Sequence, residues 1–368
     1  MPEGFDPFSV PREERSLYSY RGPEVIYTFW AKHGPCQREG CGHRTPIMPV
    51  PVFAKKTLTV SAWLDRQCDR CGEIFDIEQM PARMSPGEAY VVVPGEKPHA
   101  TMDDEGRYSC PQCRDAREDL KARLTGESST LGKCENKKVH LSLLVSEEWL
   151  KGTAKADSLG AAMGGSATDT AADTARWFRD RARTLSFLEV RGETLPPEVI
   201  HPATGRSVST VVGTAAMKQT ASGPQSKKST FKCKEATCGT EWDVLDAVRA
   251  SGATGPMAPF ALHLHCPECA AAGDTYSGRS FVPARDPRAV EAAELEWNLR
   301  KETDLAPFWP RDLLSEGWKT HKWGIPDHGY THYWKMFNSR QLLILSQLLK
   351  AITEDSAAPW DAREALMG

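Results

Sequence analysis

The sequence has no apolar run approaching the about 18 residues that a bilayer-spanning helix needs. Its opening residues, MPEGFDPFSVPREERS, lack a basic segment followed by an apolar stretch, so no secretory leader is expected. Both absences predict a cytoplasmic protein with no membrane partner, in a compartment where thiols stay reduced. Catalytic signatures are missing as well. The chain has no His-Glu-x-x-His, no His-x-Glu paired with Pro-Cys-x-x-Cys, and no Gly-x-Ser-x-Gly. The small-residue stretch Gly160 to Gly165 lacks the Lys-Ser/Thr of a phosphate loop and follows no clear strand, so it reads as a hinge. No side chain stands out as a nucleophile with its base. A strong charge imbalance is also absent: the net charge is −3 over 368 residues, with 26% charged and 40% hydrophobic. Any nucleic-acid contact must therefore come from local clusters such as Lys137-Lys138, Arg176 to Arg183, or Lys227-Lys228 with Lys232 and Lys234. Each of these is equally at home as a solvated face.

What the chain does have is cysteine: eleven residues, most of them in short-spaced pairs. One hairpin reads Cys68-Asp-Arg-Cys71-Gly-Glu-Ile-Phe75-Asp-Ile, and a second reads Cys233-Lys-Glu-Ala-Thr-Cys238-Gly-Thr-Glu-Trp242-Asp-Val. They share the pattern Cys-Gly-x-x-aromatic-Asp-aliphatic. Each precedes a Cys-Pro-x-Cys pair, Cys110/Cys113 after 38 residues and Cys266/Cys269 after 27. Two thiolates on a tight turn, met by two from a distant turn, are what a tetrahedral Zn²⁺ requires. Two sites are expected: Cys68, Cys71, Cys110 and Cys113, and Cys233, Cys238, Cys266 and Cys269. Such sites are saturated, so the expected zinc is structural rather than catalytic. Cys36 and Cys41 form a third turn. Two readings of it are open: half of a further site with His33 or His43, or a different pairing within the first cluster. Cys134 reads as a free thiol, and His263 and His265 as strand residues beside Cys266.

The expected fold class is α+β: two zinc-ribbon-type modules of short antiparallel strands joined by loops and a few helices, with a C-terminal helical segment. The chain divides into 1–30, an N-terminal extension and strand; 31–135, the first cysteine-rich module; 136–230, a strand–helix connector with hinge and linker; 231–285, the second zinc ribbon; and 286–368, a helical aromatic-rich segment. Strands are expected at 24–30, 72–77, 90–93, 139–145 and 185–190. A short helical pattern occupies 116–126, and a helix from about 169 to 183 buries Ala171, Ala175, Phe178 and Ala182. Residues 192–230 read as loop or linker. Asp286 reads as the N-cap of a helix burying Val290, Ala293 and Trp297. The last helix, about 339 to 352, would bury Leu342, Leu345, Leu349 and Ile352.

Between these helices, 318–341 interleaves aromatics with Lys, His and Arg. Such a stretch either stacks unpaired bases and holds phosphates, or is a core flap of buried tryptophans. Its end, aromatic-x-x-Phe337-Asn338-x-Arg340-Gln341-Leu-Leu, is the most specific element of a wider resemblance. Tyr27 to Cys36, Leu141 to Gly152, the second hairpin with Asp243 to Val248, and Gly324 to Leu343 together resemble the middle, zinc-ribbon-containing portion of the large adenine-specific DNA methylases found in phage-defence clusters. The Gly-rich S-adenosylmethionine loop and the Asp/Asn-Pro-Pro-aromatic tetrapeptide of those enzymes are absent here. The resemblance therefore implies a zinc-stabilised DNA-recognition segment, a split-gene subunit or a truncated fragment, inactive alone. Its S-adenosylmethionine would be bound only by a partner chain. Implied partners are double-stranded DNA and a catalytic methylase portion or other defence-system proteins. Lys227, Lys228, Lys232 and Lys234 would meet phosphates, and Trp323, His328, Tyr330, Lys335 and Arg340 would lie near the target base. The alternative is a non-enzymatic zinc scaffold that binds protein partners in a defence complex.

Overall fold

The computed structural model describes residues 10–18, 22–118, 133–153, 171–218, 228–250, 257–314 and 330–357, with 359, 361–362 and 364 beyond them. The fold is α+β. Its largest element is a six-stranded sheet built on two long strands, β3 (Val52–Gln67) and β9 (Cys134–Val145), which pair antiparallel from Val52 opposite Leu144 to Trp63 opposite Cys134. β4 (Ile74–Gln79) and β6 (His99–Met102) extend it on one side, and β10 (Phe187–Gly192) and β5 (Ala89–Val92) on the other. The C-terminal half of β9, Leu-Ser-Leu-Leu-Val, is buried on both faces, which is why it reads as a continuous apolar run rather than an alternation.

A four-stranded sheet lies across one face. It orders β17 (Arg279–Pro283), β16 (Met257–His265), β1 (Glu24–Pro35) and β2 (Arg44–Pro46). Phe53 and Phe187 from the larger sheet meet Phe29, Phe260 and Phe281 from the smaller, with Trp149 fully buried among them. Phe53 sits 4.8 Å from Phe187 and 5.4 Å from Phe260 between ring centroids, ordinary tilted and edge-on aromatic packing. Each such ring removed from water stabilises the fold by about 1.5–3 kcal/mol. Trp149 is delivered by α1 (Glu147–Leu150), a single turn whose Trp149 amide donates to the Ser146 hydroxyl. On the opposite side of the large sheet, Leu144, Leu188 and Val190 pack under a hairpin of β11 (Glu198–Ile200) and β12 (Ser207–Ser209).

Helices cover the small sheet and the C-terminus. α2 (Ala171–Arg183) buries Ala175, Phe178 and Ala182 as its periodicity predicts, and adds Trp177. After α3 (Val244–Ala250) and α4 (Pro267–Ala271), α5 (Arg288–Arg300) packs Trp297 against Leu342 and Leu343 of α6 (Ser339–Glu354), joined by Trp309, Trp334 and Phe337. These three aromatics are partly buried against that core. Four local expectations are corrected. Residues 116–118 form a strand, β8 (Ala116–Glu118), paired with β7 (Arg107–Ser109), while the rest of the expected helix lies outside the described residues. The expected linker 192–230 contains β11 and β12, then β13 (Ala215–Lys218) and most of β14 (Lys228–Lys232), because short Thr/Ser/Val runs pair once a partner strand is at hand. In α6 the inward face is Leu342, Leu343 and Ser346, and Leu345 is exposed: the helix packs along the 342/346 line, one residue off the predicted stripe. At α5 the cap is Pro287 rather than Asp286, whose carboxylate still accepts from the Arg288 amide.

Candidate metal centres

Each of four cysteine pairs sits at the tip of a β-hairpin. β3–β4 carries Cys68 and Cys71, β7–β8 carries Cys110 and Cys113, and β1–β2 carries Cys36 and Cys41. Cys233 and Cys238 lie between β14 and β15 (Glu241–Asp243). The tips are closed by backbone hydrogen bonds across the mouth: the Cys68 amide donates to Glu73, Cys110 to Asp115, Cys36 to His43 and Cys233 to Thr240, at 2.8–3.0 Å. A glycine at positive φ makes three of these turns possible, Gly40, Gly72 and Gly239.

The tips meet in two groups. Cys68, Cys71, Cys110 and Cys113 form the first centre, and Cys36, Cys41, Cys233 and Cys238 the second. Within each, all four sulfurs lie within 4.8 Å of one another. Sγ–Sγ separations are 3.7 Å for Cys68–Cys113 and Cys71–Cys110, 3.7 Å for Cys36–Cys238 and 3.8 Å for Cys41–Cys233. Four sulfurs at about 2.3 Å from a tetrahedral Zn²⁺ stand about 3.8 Å apart. The donor set, its soft thiolate chemistry and its spacing therefore fit zinc at both centres. With four protein ligands each, a zinc ion held at either centre would have no position open for water or substrate.

Polar hydrogens are aimed at the sulfurs. In the first centre the amides of Cys71 and Arg70 draw the Cys68 thiol down to about 7. In the second, the Thr240 hydroxyl and amide draw Cys238 to about 6, and the Trp242 indole N–H donates to Cys36 Sγ at 3.2 Å. Cys36, Cys71, Cys113 and Cys233 move the other way. Burial raises Cys36 and Cys233, and although the Glu73 amide favours its thiolate, desolvation and the other three sulfurs push Cys71 up to about 12. Four sulfurs this close cannot all ionise on their own charge. A divalent cation between them reverses that balance and makes the fully deprotonated set the stable one.

The second centre is a correction to the sequence reading, which joined Cys233 and Cys238 to Cys266 and Cys269. Strand register explains why that ribbon does not form. β1 and β16 run antiparallel with Glu24 opposite His265 and Lys32 opposite Met257. Cys266 therefore lies at the Glu24 end, and Cys36 beyond the other end, roughly 40 Å away at about 3.3 Å per residue. Phe231, next to Cys233, packs its ring against Gly34, where a Cβ would fall 2.3 Å from the ring, and this brings the two Cys-x4-Cys tips together. Cys266 and Cys269 are instead bonded to each other as a disulfide.

His33, His43 and His263 are not ligands of either centre. His33 is wholly buried, edge-on between Trp149 and Trp177, donating through Nδ1 to the Ala31 carbonyl at 3.0 Å, and burial holds it well below its ordinary pKa. His43 donates through Nε2 to the Lys151 carbonyl at 2.7 Å. His263 is stacked between Tyr27 and Phe281, a strand residue as expected. Cys134 packs beside the first centre's core of Trp63, Phe75, Ile77 and Met102 without joining the tetrad.

The residues expected at nucleic acid are scattered. Lys232 and Lys234 are exposed beside the second centre. Lys228 sits in β14, with its backbone opposite Lys218. Tyr330 accepts a 2.7 Å hydrogen bond from Lys32, Lys335 lies over the Trp334 ring, and Arg340 is half-buried in the first turn of α6. Lys227, Trp323 and His328 lie outside the described residues. Sequence reasoning missed Trp242, Thr240 and Gly34 as parts of the second centre. It also passed over a signal in the spacing: both turns of the second centre are Cys-x4-Cys, and both of the first are Cys-x2-Cys, a spacing that Cys266 and Cys269 share. No family model matches the chain, and no curated protein or solved structure matches it. Among the described residues, no helix is long and apolar enough to cross a membrane.

Proposed function

We propose that the chain is a zinc-held DNA-recognition segment, akin to part of an adenine-specific DNA methyltransferase, and that it works with a catalytic portion and S-adenosylmethionine carried by another chain. The observation that supports this reading is the surface over the second centre. Arg38, Lys232 and Lys234 are exposed at the two hairpin tips, and Arg38 is steadied by the Thr237 carbonyl at 3.3 Å. The zinc fixes the spacing of these cations while doing no chemistry itself. Glu39 and Glu241 share the surface, so phosphate neutralisation rests on about three charges. For a duplex oligonucleotide the apparent affinity would then fall with a slope of about −2.7 in log[salt], about 0.9 per phosphate contact. Lys232→Ala with Lys234→Ala should flatten that slope by about 1.8. Fluorescence anisotropy with the zinc-loaded protein, alone and with the product of a neighbouring gene, reads both. No binding at low salt in either case ends the proposal.

A second reading is a non-enzymatic scaffold for protein partners. It is favoured by the exposed apolar side chains Leu295 and Leu299 on α5 and Ile344, Leu345 and Leu348 on α6. That reading expects salt-insensitive association with a protein partner and no retardation of DNA.

A further inference from the structure

The Cys266-Pro-Glu-Cys269 turn has the backbone of a metal-binding knuckle and, among the described residues, none of its partners. The Ala270 amide donates to the Cys266 carbonyl at 3.0 Å, the same bond that Gly72 makes to Cys68 and Arg114 to Cys110 in the first centre. Its Cys269 amide also donates to Cys266 Sγ at 3.2 Å. The turn is clamped from behind. Cys266 N–H donates to the Gly278 carbonyl at 2.7 Å, and Asp274 N–H to the Cys269 carbonyl at 3.1 Å. Gly278, at φ +73°, lies so close that a Cβ there would fall 2.1 Å from the Cys266 carbonyl oxygen. Yet the other tips each face a second tip, whereas this turn presents Pro267, Glu268 and Cys269 to solvent. Among the described residues no other ligand group gathers around it.

The bond it contains is not a staple. It joins residues three apart, and the stabilisation a disulfide gives by restricting the unfolded chain is least for the shortest loops. Eight other cysteines stand as free thiols in the two centres. The pair is thus separable from the zinc sites in position, partners and oxidation state.

We propose that Cys266 and Cys269 form a surface thiol–disulfide exchange site whose co-substrates are dithiols and low-molecular-weight thiols. In the reductive direction a donor thiolate attacks the exposed Cys269 Sγ, the Cys266–Cys269 bond breaks, and Cys266 leaves as a thiolate that its N–H contact from Cys269 stabilises. The donor's second thiolate then attacks the mixed disulfide and releases Cys269. Two electrons and two protons pass from the dithiol to the protein, and the donor leaves as its own disulfide. The clamped backbone keeps both sulfurs in place through the cycle.

The test is differential alkylation of the zinc-loaded protein equilibrated in glutathione buffers of graded potential, read by peptide mass mapping alongside zinc content. The expected result is that the peptide carrying residues 266–269 passes from unalkylated disulfide to doubly alkylated as the buffer becomes more reducing. Zinc should stay at two per chain, with the eight tetrad cysteines protected. Cys266→Ser should trap a glutathione adduct on Cys269, and Cys269→Ser should trap far less. Three results would overturn the proposal: a pair alkylated at every potential, a disulfide that survives excess dithiothreitol in the folded protein, or uptake of a third zinc that blocks alkylation of the reduced pair.

Discussion

Replacing Cys41 by Ser tests the pairing of the second centre, because the alternative pairing predicts a different outcome. Ser keeps the size of the side chain and removes the thiolate, leaving three ligands. Structural zinc contributes about 10–16 kcal/mol of apparent binding free energy in small zinc-dependent folds, more than the about 5–15 kcal/mol that separates a whole domain from its unfolded state. The topology adds a second measure. The Cys41–Cys233 contact spans 192 residues, whereas Cys68–Cys113 spans 45. That is about two doublings of loop length, or about 1.2 kcal/mol of additional closure entropy held by the second centre. Cys41→Ser should therefore bind one zinc instead of two, and should lose at least about 3 kcal/mol of stability toward urea. The double replacement Cys266→Ser, Cys269→Ser should keep both zinc ions. It should lose about 2 kcal/mol at most under oxidising conditions and nothing measurable in reducing buffer, where that disulfide is open in either protein. Zinc per chain by native mass spectrometry, with urea unfolding in reducing buffer, decides the matter. The reasoning is refuted if Cys41→Ser retains two zinc ions while the Cys266/Cys269 variant drops to one.

Two further outcomes follow from packing and charge. Gly34→Ala places a methyl group against the Phe231 ring and should cost about 1–3 kcal/mol; paired with Phe231→Ala it should cost less than the sum of the two, which a double-mutant cycle measures. Glu78 is 4% exposed and held by Arg191 at 2.5 Å and Lys137 at 2.5 Å, so Glu78→Gln strands buried Arg191 and should cost about 3–5 kcal/mol at neutral pH. Desolvation alone would raise the Glu78 carboxyl, but the Lys137 hydrogen bond and the Arg191 charge win and lower it. A lowered folded value gives stability that is fully present above the unfolded value of about 4.3 and is lost as pH falls through the folded one. The gap between wild type and Glu78→Gln should thus close on acidification, and a gap that stays constant from pH 7 to pH 3 would contradict this account.

The strands were legible where a run of apolar residues had to be buried whatever its partner. Leu141 to Val145, Phe75 with Ile77, and the 171–183 helix carry enough apolar surface to declare themselves. The residues from 192 to 218 do not. Ser207-Val-Ser and Glu198-Val-Ile each offer one buried side chain, Val208 and Val199, and become strands only because Leu144, Leu188 and Val190 give them a surface to cover. The 286–300 helix was placed to within a residue because its Asp-Pro start is a local signal. The Leu345 error in the last helix is tertiary: Trp297 and Leu305 decide which line of α6 faces inward, and nothing within 339–354 records where they stand.

The metal centres divide along the same line. The first was readable because its hairpins lie 39 and 45 residues apart and belong to one stretch of chain. For the second, proximity in sequence misled, since Cys266 is 28 residues from Cys238 but is carried away along β16, whereas Cys36 is 202 residues away and 3.7 Å off. The spacing within the pair separates them: Cys233 and Cys238 share the four-residue interval of Cys36 and Cys41, and Cys266 and Cys269 do not. The two centres also differ in when they can form. The first joins two hairpins within residues 68 to 113, beside a core of Trp63, Phe75, Ile77, Met102 and Tyr108 on the β3–β4–β6 side of the large sheet. The second needs β1 registered on β16 and Phe231 seated against Gly34 before its thiols converge. Loop closure over some 200 residues must be met by those contacts first. A metal ion at the second centre would therefore lock contacts that the β1–β16 ladder and the aromatic core have already brought together, while one at the first would tie the β7–β8 hairpin to the β3–β4 hairpin of the large sheet.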